Sequence, residues 1–567
     1  MEKCAKIAVQ WFKIALIKGI NPLDFVSFCD YNDSETCLTE AGRYMHDKRR
    51  IVMKATRLTR LLCCLLALLM TVCLFAACAE ETPGKDDQPS NNDDNKEDGT
   101  DDDDKDDGSD GDQALDYLLS VEKDDFGKET ITILCREDKS YEIDMEQDSG
   151  ALVEKAVFDR NARVEEYLNV EIVGHPVNGS WPLQTEYINI LSQAVAATDN
   201  SFQLAATHSS YNARVTLNDQ YWDLREFEDQ INLDAPWWSA SWVENATVND
   251  KLFFITGDVS LTMWEELYAV FFNRQMAKDR EEEVGDLYQL VRDGEWTLEM
   301  LAMLSDIYVD DGNDERDAGD TYGLLINRHS MRTFVTCCDL PIAKRNDDGG
   351  FDLIFMDEDH AEKVATVYAT LYEMIYQNDG TWDSKLTDGD YTEMLQIFTA
   401  DDGALFMTGT LQNATALRHA EMEFGILPFP KYDEDQENYL AHSYDGLSSF
   451  AIPACALEPE MSAKVLDAMG AESKTTVIPA YYDVVLQGRV AQDAESKEML
   501  NIIRENLYFD FGFIYSDALK HDSAAGPFAF FGDELRKGRE SLTSGWTSVY
   551  EGYLEKLAEV MAKFNED

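Results

Sequence analysis

The sequence predicts an α/β chain of two lobes, each a mainly parallel sheet flanked by helices. Two observations carry that prediction. Residues 127–567 outrun the length at which one hydrophobic core stops growing, about 250–300 residues, so this span divides in two. Its first part also alternates strand and helix. Residues 130–135 (TITILC) form a β-branched run. Residues 150–168 show helical apolar spacing at Leu152, Val153, Ala156, Val157, Val164 and Leu168. Residues 170–173 (VEIV) read as a second strand, 187–197 as a helix and 202–206 as a third strand. Strands alternating with helices build a parallel sheet, and such sheets present ligands at their carboxyl edge.

Further along, helical spacing marks residues 298–308, 360–376, 391–399, 459–469, 496–507 and 546–564. Strand-like runs fall at 252–255, 268–272, 404–407, 424–426 and 448–452. Thr297 stands where a helix N-cap belongs, with Trp296 before it as a packed anchor. On the helix through RNARVEEYLNV, Val164 and Leu168 share one face, and Arg160, Arg163 and Glu166 are expected to point outward.

The front of the chain has a different character. Lys48, Arg49, Arg50, Lys54, Arg57 and Arg60 precede the apolar run LLCCLLALLMTVCLFAAC at 61–78. Basic, apolar and small residues in that order make a secretory signal peptide. The apolar core, about 15 residues, is short for the roughly 30 Å of membrane hydrocarbon, so a transmembrane helix is the second reading. Residues 1–44 fit nothing downstream. They read as an extension upstream of the true start at Met45 or Met53, or else as a cytoplasmic segment before an uncleaved anchor. Residues 79–113 lack Leu, Ile, Val, Phe, Tyr, Trp and Met, and hold 16 acidic residues against 3 lysines. No core can form from such a stretch, so 78–126 reads as an acidic tether.

The whole chain has a formal net charge of −62. That surface disfavours nucleic acid and anionic lipid. Of eleven cysteines, Cys78, Cys135, Cys337, Cys338 and Cys455 would remain after processing. They are too few for a disulfide scaffold and lack zinc-ligand spacing. Adjacent Cys337 and Cys338 read as packed thiols. HExxH, GxSxG and GxxxxGK[ST] are all absent, so no cofactor and no catalytic residue is assigned.

Several stretches together carry a family resemblance: AVFDRNARVEEYLNV (156–170), LDAPWWSASWVENATVNDKLFFITGD (233–258), VFFNRQM (270–276), DGEWTLEML (293–301), YGLL (322–325), GALFMTGTL (403–411), FGILPFPKYDEDQENY (424–439) and PAYYDVVLQGRVAQDAESKEMLNII (479–503). In number, order and spacing they resemble the extracellular solute-binding proteins of ABC importers, in the maltose-binding-protein class, and especially the lipoproteins of gut Firmicutes. Leu74-Phe75-Ala76-Ala77-Cys78 likewise resembles a bacterial lipobox, with Cys78 lipidated; an ordinary signal peptide is the alternative.

The resemblance implies a periplasmic-binding-protein-like fold with hinge crossings between lobes. It divides the chain into a signal peptide with lipobox (45–77), the lipidated tether (78–126), an N-terminal lobe (127–265 and 448–480) and a C-terminal lobe (266–447 and 481–567). It implies a monomeric receptor on the extracellular face of the bacterial membrane, delivering a sugar or oligosaccharide to permease subunits. A surface polysaccharide hydrolase and a glycan-binding lipoprotein without a transporter are the alternatives.

Sugar pockets use flat aromatic faces against ring C–H groups and polar side chains against hydroxyls. On that chemistry Trp264, six residues after Asp258 in the implied first crossing, is the expected stacking platform, with Asp258 binding hydroxyls. Trp238 is a further aromatic candidate. His208, Ser209 and Tyr211 lie at the carboxyl edge of the third strand. Thr410 lies in a loop that relatives bring to the cleft, although Leu411 stands where an aromatic is usual. Tyr444 and Asp445 belong to the implied second crossing, Tyr481 and Tyr482 to the third. Asp311, Asn313 and Glu315 have the alternation of a calcium loop. Arg316 replaces its turn glycine and no glutamate stands at the twelfth position, so a solvated loop is favoured.

Overall fold

The structure, a computed structural model, describes residues 116–145, 151–313, 316–383, 391–417, 420, 422–486, 494–522 and 524–565. The signal peptide, Cys78, most of the tether and Glu315 lie outside the described residues. Among the described residues no helix is long and apolar enough to cross a membrane.

Twelve strands are described: β1 (Glu129–Arg136), β2 (Val170–Val177), β3 (Leu204–His208), β4 (Tyr268–Asn273), β5 (Tyr308–Val309), β6 (Thr321–Ile326), β7 (Ala343–Arg345), β8 (Phe351–Leu353), β9 (Thr381–Asp383), β10 (Ala404–Thr410), β11 (Phe424–Leu427) and β12 (Ser448–Ala451). The first sheet runs β12-β3-β1-β2. Its β1 pairs parallel with both β2 and β3, and only β12 is antiparallel. The expected parallel lobe is therefore present.

The second sheet runs β11-β4-β10-β6-β5, with β9 also on β6. Here β10 and β9 lie parallel to β6, whereas β4 pairs antiparallel with β10 and β11, and β5 with β6. This sheet is mixed rather than mainly parallel. The expected strand at 252–255 is replaced by a single bridge between Ile255 and Phe450, because this stretch meets the sheet only at the free edge of β12. The expected helix at 298–308 stops at Leu304, and Tyr308 and Val309 turn into the edge strand β5.

Helix Leu152–Leu168 covers the first sheet through Val157, Val164 and Leu168. It ends at Asn169, whose φ of 50° is left-handed, a conformation that asparagine tolerates. Arg160 is buried rather than outward, at 1% exposure. Its guanidinium donates to the carbonyls of Glu142 and Ile143, both at 3.0 Å, and so fixes the chain just after β1. A buried cation needs such acceptors, and burial draws its pKa down to about 10. Thr297 caps its helix by accepting from the Met300 N–H, and Trp296 is fully buried with its indole N–H on the Pro428 carbonyl at 2.9 Å. The four described cysteines are buried free thiols.

The chain passes between sheets beside two antiparallel segments. The Tyr268 N–H donates to the His442 carbonyl and the Tyr444 N–H to the Glu266 carbonyl, both at 2.9 Å. Leu267 and Ser443 are bridged between them. The helix Val477–Leu486 then packs on both Leu152–Leu168 and Leu411–Leu417, so a third connection adjoins the first two. The last part of the chain also reaches back to the first lobe. Phe509 packs edge-on against Trp242 at 5.0 Å, and the Tyr515 hydroxyl donates to the Ala246 carbonyl at 2.8 Å.

Candidate functional site

The carboxyl ends of β1, β2 and β3 lie side by side, as parallel pairing requires. Beyond β1, Arg136 donates to the Gly446 carbonyl at 2.6 Å and to Asp138 at 2.8 Å. Beyond β2 the chain turns at Gly179, whose carbonyl accepts from the Tyr211 hydroxyl at 2.8 Å, and reaches Trp181. Beyond β3, the Ser209 hydroxyl donates to the Asp445 carbonyl at 2.8 Å and the Ser209 N–H to the Leu447 carbonyl at 3.0 Å. This edge is thus stitched to the second crossing. Gly446 is needed there, since a Cβ would come within 2.6 Å of Glu266 Oε2.

His208 is buried, its ring stacked 5.5 Å from Tyr211 and tilted at 48° to Trp181, 5.9 Å away. Burial, with Arg136 and Lys139 nearby, holds its pKa well below the ordinary value, so the ring is neutral. Its Nδ1 accepts from the Ser210 N–H. The expected His208, Ser209, Tyr211, Tyr444 and Asp445 therefore gather on one edge.

From the second lobe, Arg332 stands 3.2 Å from Asp533 and 3.8 Å from Asp445. Its Nε is buried without a hydrogen-bond partner among the described residues. Farther out, Trp181 is 39% exposed, and the Lys520 ammonium lies 4.5 Å from the centre of its ring. Asp517 pairs with Arg214 at 2.9 Å and with Lys520 at 2.6 Å. Trp181, Arg214, Asp517 and Lys520, but not Arg332, line a groove of about 510 Å³ between the third-strand helix Ser209–Thr216 and the C-terminal segment.

At the first crossing, Lys139 pairs with Glu266 at 2.7 Å, and the Tyr141 hydroxyl donates to Glu265. Burial pushes the Glu265 carboxyl up to about 7. The Tyr141 bond and Lys139 oppose the rise, and Glu142 and Glu266 add to it. Glu142 is fully buried, accepting from the Thr262 N–H at 2.9 Å and from the Ser448 hydroxyl, so it ties the chain after β1 to both crossings.

None of the expected residues lines the groove itself, and the others sit apart from the carboxyl edge as well. Trp264 is only 8% exposed, against the expected open platform. Its indole N–H donates to Asp258 at 3.0 Å, and its ring meets Tyr482 edge-on at 6.1 Å. Asp258 is buried and also pairs with Lys474 at 3.3 Å. Both are packed because Lys474 and Tyr482, from the helices Pro459–Thr475 and Val477–Leu486, close against them. Trp238 and Trp237 both donate to Asp467, at 3.2 and 2.8 Å, and wedge around Gly257, where a Cβ would clash with the Trp237 carbonyl. Tyr481 and Tyr482 are buried with no partner for either hydroxyl among the described residues. Thr410 lies at the end of β10 opposite Tyr268, its N–H on Asn413 at 2.9 Å. Asp311 and Asn313 lie in the acidic loop, where Asp320 accepts from the N–H groups of Asp311 and Asp317 and from the Tyr308 hydroxyl. Asp310, Asp311 and Asp320 come together there, while Glu315 of the alternating set lies outside the described residues.

Trp181, Arg214, Arg332, Asp517 and Lys520 were not among the expected residues. Trp181 had a signal: it follows β2 by four residues, and the carboxyl-edge rule that selected His208 applies equally to it. The charged residues of the second lobe had none, because only folding brings them to this edge.

No family model matches the chain, and no curated protein matches it. Among solved structures, an ABC substrate-binding protein from Listeria monocytogenes in complex with cycloalternan aligns with 78% of this chain and 100% of its own, at 10% identity and a TM-score of 0.45. A cyclo/maltodextrin-binding protein complexed with maltotetraose aligns over 76% and 97%, at 11% identity and a TM-score of 0.49. A galacto-N-biose/lacto-N-biose I-binding protein of the ABC transporter from Bifidobacterium longum aligns over 77% and 98%, at 10% identity and a TM-score of 0.47.

The raised pKa of Glu265 fixes a sign. The folded state keeps a proton that the unfolded chain releases near 4.5, so stability falls as pH rises from about 4.5 to about 7 and levels off above. This one group contributes a slope of up to about 1.4 kcal/mol per pH unit. Glu265→Gln should flatten the dependence of urea stability on pH across that window. Identical slopes in both proteins would contradict the assignment.

Proposed function

We propose that this chain is a solute-binding receptor of an ABC importer, anchored through Cys78 on the extracellular face of the membrane, that captures an oligosaccharide between its lobes. The observation that carries the reading is Trp181. It is the one tryptophan among the described residues with a large exposed face, and it stands at the carboxyl edge of a parallel sheet, where the second lobe meets it. A flat indole accepts the apolar face of a sugar ring, and Gln184, Arg214 and Asn218 in the same groove offer donors and acceptors for hydroxyls.

The paired crossings support a hinge about which the lobes close. Trp264, Asp258 and Trp238 support it as packing rather than as ligand contacts. The sequence motifs support delivery to permease subunits, since the acidic tether gives the lobes reach from a lipid anchor. No nucleic acid and no cofactor enters this reading, and the protein acts as a monomer without catalysis.

Two outcomes are expected. Calorimetry of the purified chain against an oligosaccharide panel should find saturable binding without product formation. Trp181→Ala should weaken it by about 1–3 kcal/mol, the range for aromatic platforms under flat rings, while the melting temperature holds. Unchanged affinity would remove Trp181 from the site, and released product would make the chain a hydrolase. For the anchor, metabolic labelling with palmitate should mark the wild type and spare Cys78→Ala; equal labelling of both would refute lipidation there.

A further inference from the structure

The groove at Trp181 inverts the charge of the molecule around it. The chain carries 110 acidic residues against 48 basic ones. The groove is lined by Arg214, Lys520 and Lys556 against Asp517 and Glu559. Both carboxylates are already engaged. Asp517 is held by Arg214 and Lys520, and its side chain is 6% exposed. Glu559 is held by Lys556 at 2.6 Å. The cations are open too: the side chains of Arg214, Lys520 and Lys556 are 47%, 36% and 33% exposed, beside 63% for Glu559, and three cations against two carboxylates leave one positive charge in surplus.

From this lining we infer that the solute taken at Trp181 is an anionic carbohydrate, an oligosaccharide bearing carboxylate or sulfate groups, and that Lys520 selects it. The inference rests on the receptor reading above. Its core is the ammonium lying on the indole face. A sugar ring that stacks on Trp181 must move Lys520 aside, and the cation–π attraction is lost. A neutral ring returns for that loss only a hydroxyl acceptor, with no opposite charge. A ring carrying a carboxylate or sulfate keeps Lys520 within reach and forms a charge-assisted hydrogen bond with it. Arg214 and Lys556 flank the same opening and favour the same charge. In a chain this acidic, a local surplus of cations beside the one exposed indole is what an anionic solute requires to approach.

The test is calorimetry on the purified full chain with tetragalacturonate and with maltotetraose. Tetragalacturonate should bind at least tenfold more tightly. Lys520→Met, which keeps the aliphatic stem, should weaken tetragalacturonate at least fivefold and leave maltotetraose equal or tighter, because the indole face is freed. Lys520→Arg should keep the uronate affinity. If maltotetraose binds as well as the uronate and Trp181→Ala weakens it, the charge preference is overturned and the receptor reading stands. If Lys520→Met weakens both sugars equally, Lys520 does not select charge. If neither sugar binds but a neutral oligosaccharide of the panel does, the charge preference is overturned and the receptor reading stands; if no oligosaccharide binds, both are overturned.

Discussion

The two hydrogen bonds between the crossing segments, Tyr268 to His442 and Tyr444 to Glu266, set the placement of everything else. Two antiparallel segments paired through their backbones fix where each lobe begins, whatever their side chains are. The Leu267 carbonyl accepts from the Leu411 N–H, and the Ser443 hydroxyl donates to the Met263 carbonyl, so β10 and the short helix Leu261–Glu265 are drawn to the same line. Directly after the second segment, Asp445 and Leu447 accept from Ser209. The carboxyl edge of the first sheet is thereby turned toward the second lobe.

That placement divides the polar groups into two kinds. Glu142, Arg160, Asp258 and Asp467 are buried and engaged by named partners, so their carboxylates and guanidinium act as rivets. A buried charge is tolerated only when so engaged. Trp181, Arg214, Lys520 and Asp138 remain open to solvent at the outer end of the same seam. The rivets hold the first lobe together, and the open set is free to exchange its partners. The aromatic packing of Phe509 and Tyr515 on the first lobe adds a tie beyond the crossings, which limits how far the lobes can part.

Most strands and helices were legible in the sequence because their periodicity is local. The runs at 130–135, 170–173 and 268–272 became β1, β2 and β4 within a few residues. Strand direction in the second sheet was not legible, since it depends on which neighbour each strand meets after the crossings. Arg160 shows another limit. Its spacing on the helix gives no hint of the Glu142 and Ile143 carbonyls that draw it inward. The site divides in the same way. His208, Ser209 and Asp445 are read from strand ends and from the resemblance, and the structure brings them to one carboxyl edge. Trp264 and Asp258 are read as an open platform and its hydroxyl binder, whereas the indole N–H donates to the carboxylate and both are buried. Lys520 lies more than 300 residues from Trp181, and no pattern in either stretch announces their contact.

The central claim, that a solute is held on Trp181 between the lobes, is tested most directly by oxidising the tryptophans with N-bromosuccinimide and mapping the products by mass spectrometry. Trp181 should react first in the free protein, because the other tryptophans described are more deeply covered. A saturating oligosaccharide should then protect Trp181 and leave the slow reaction of the others unchanged. Trp181 oxidised at the same rate with and without bound sugar would contradict the account.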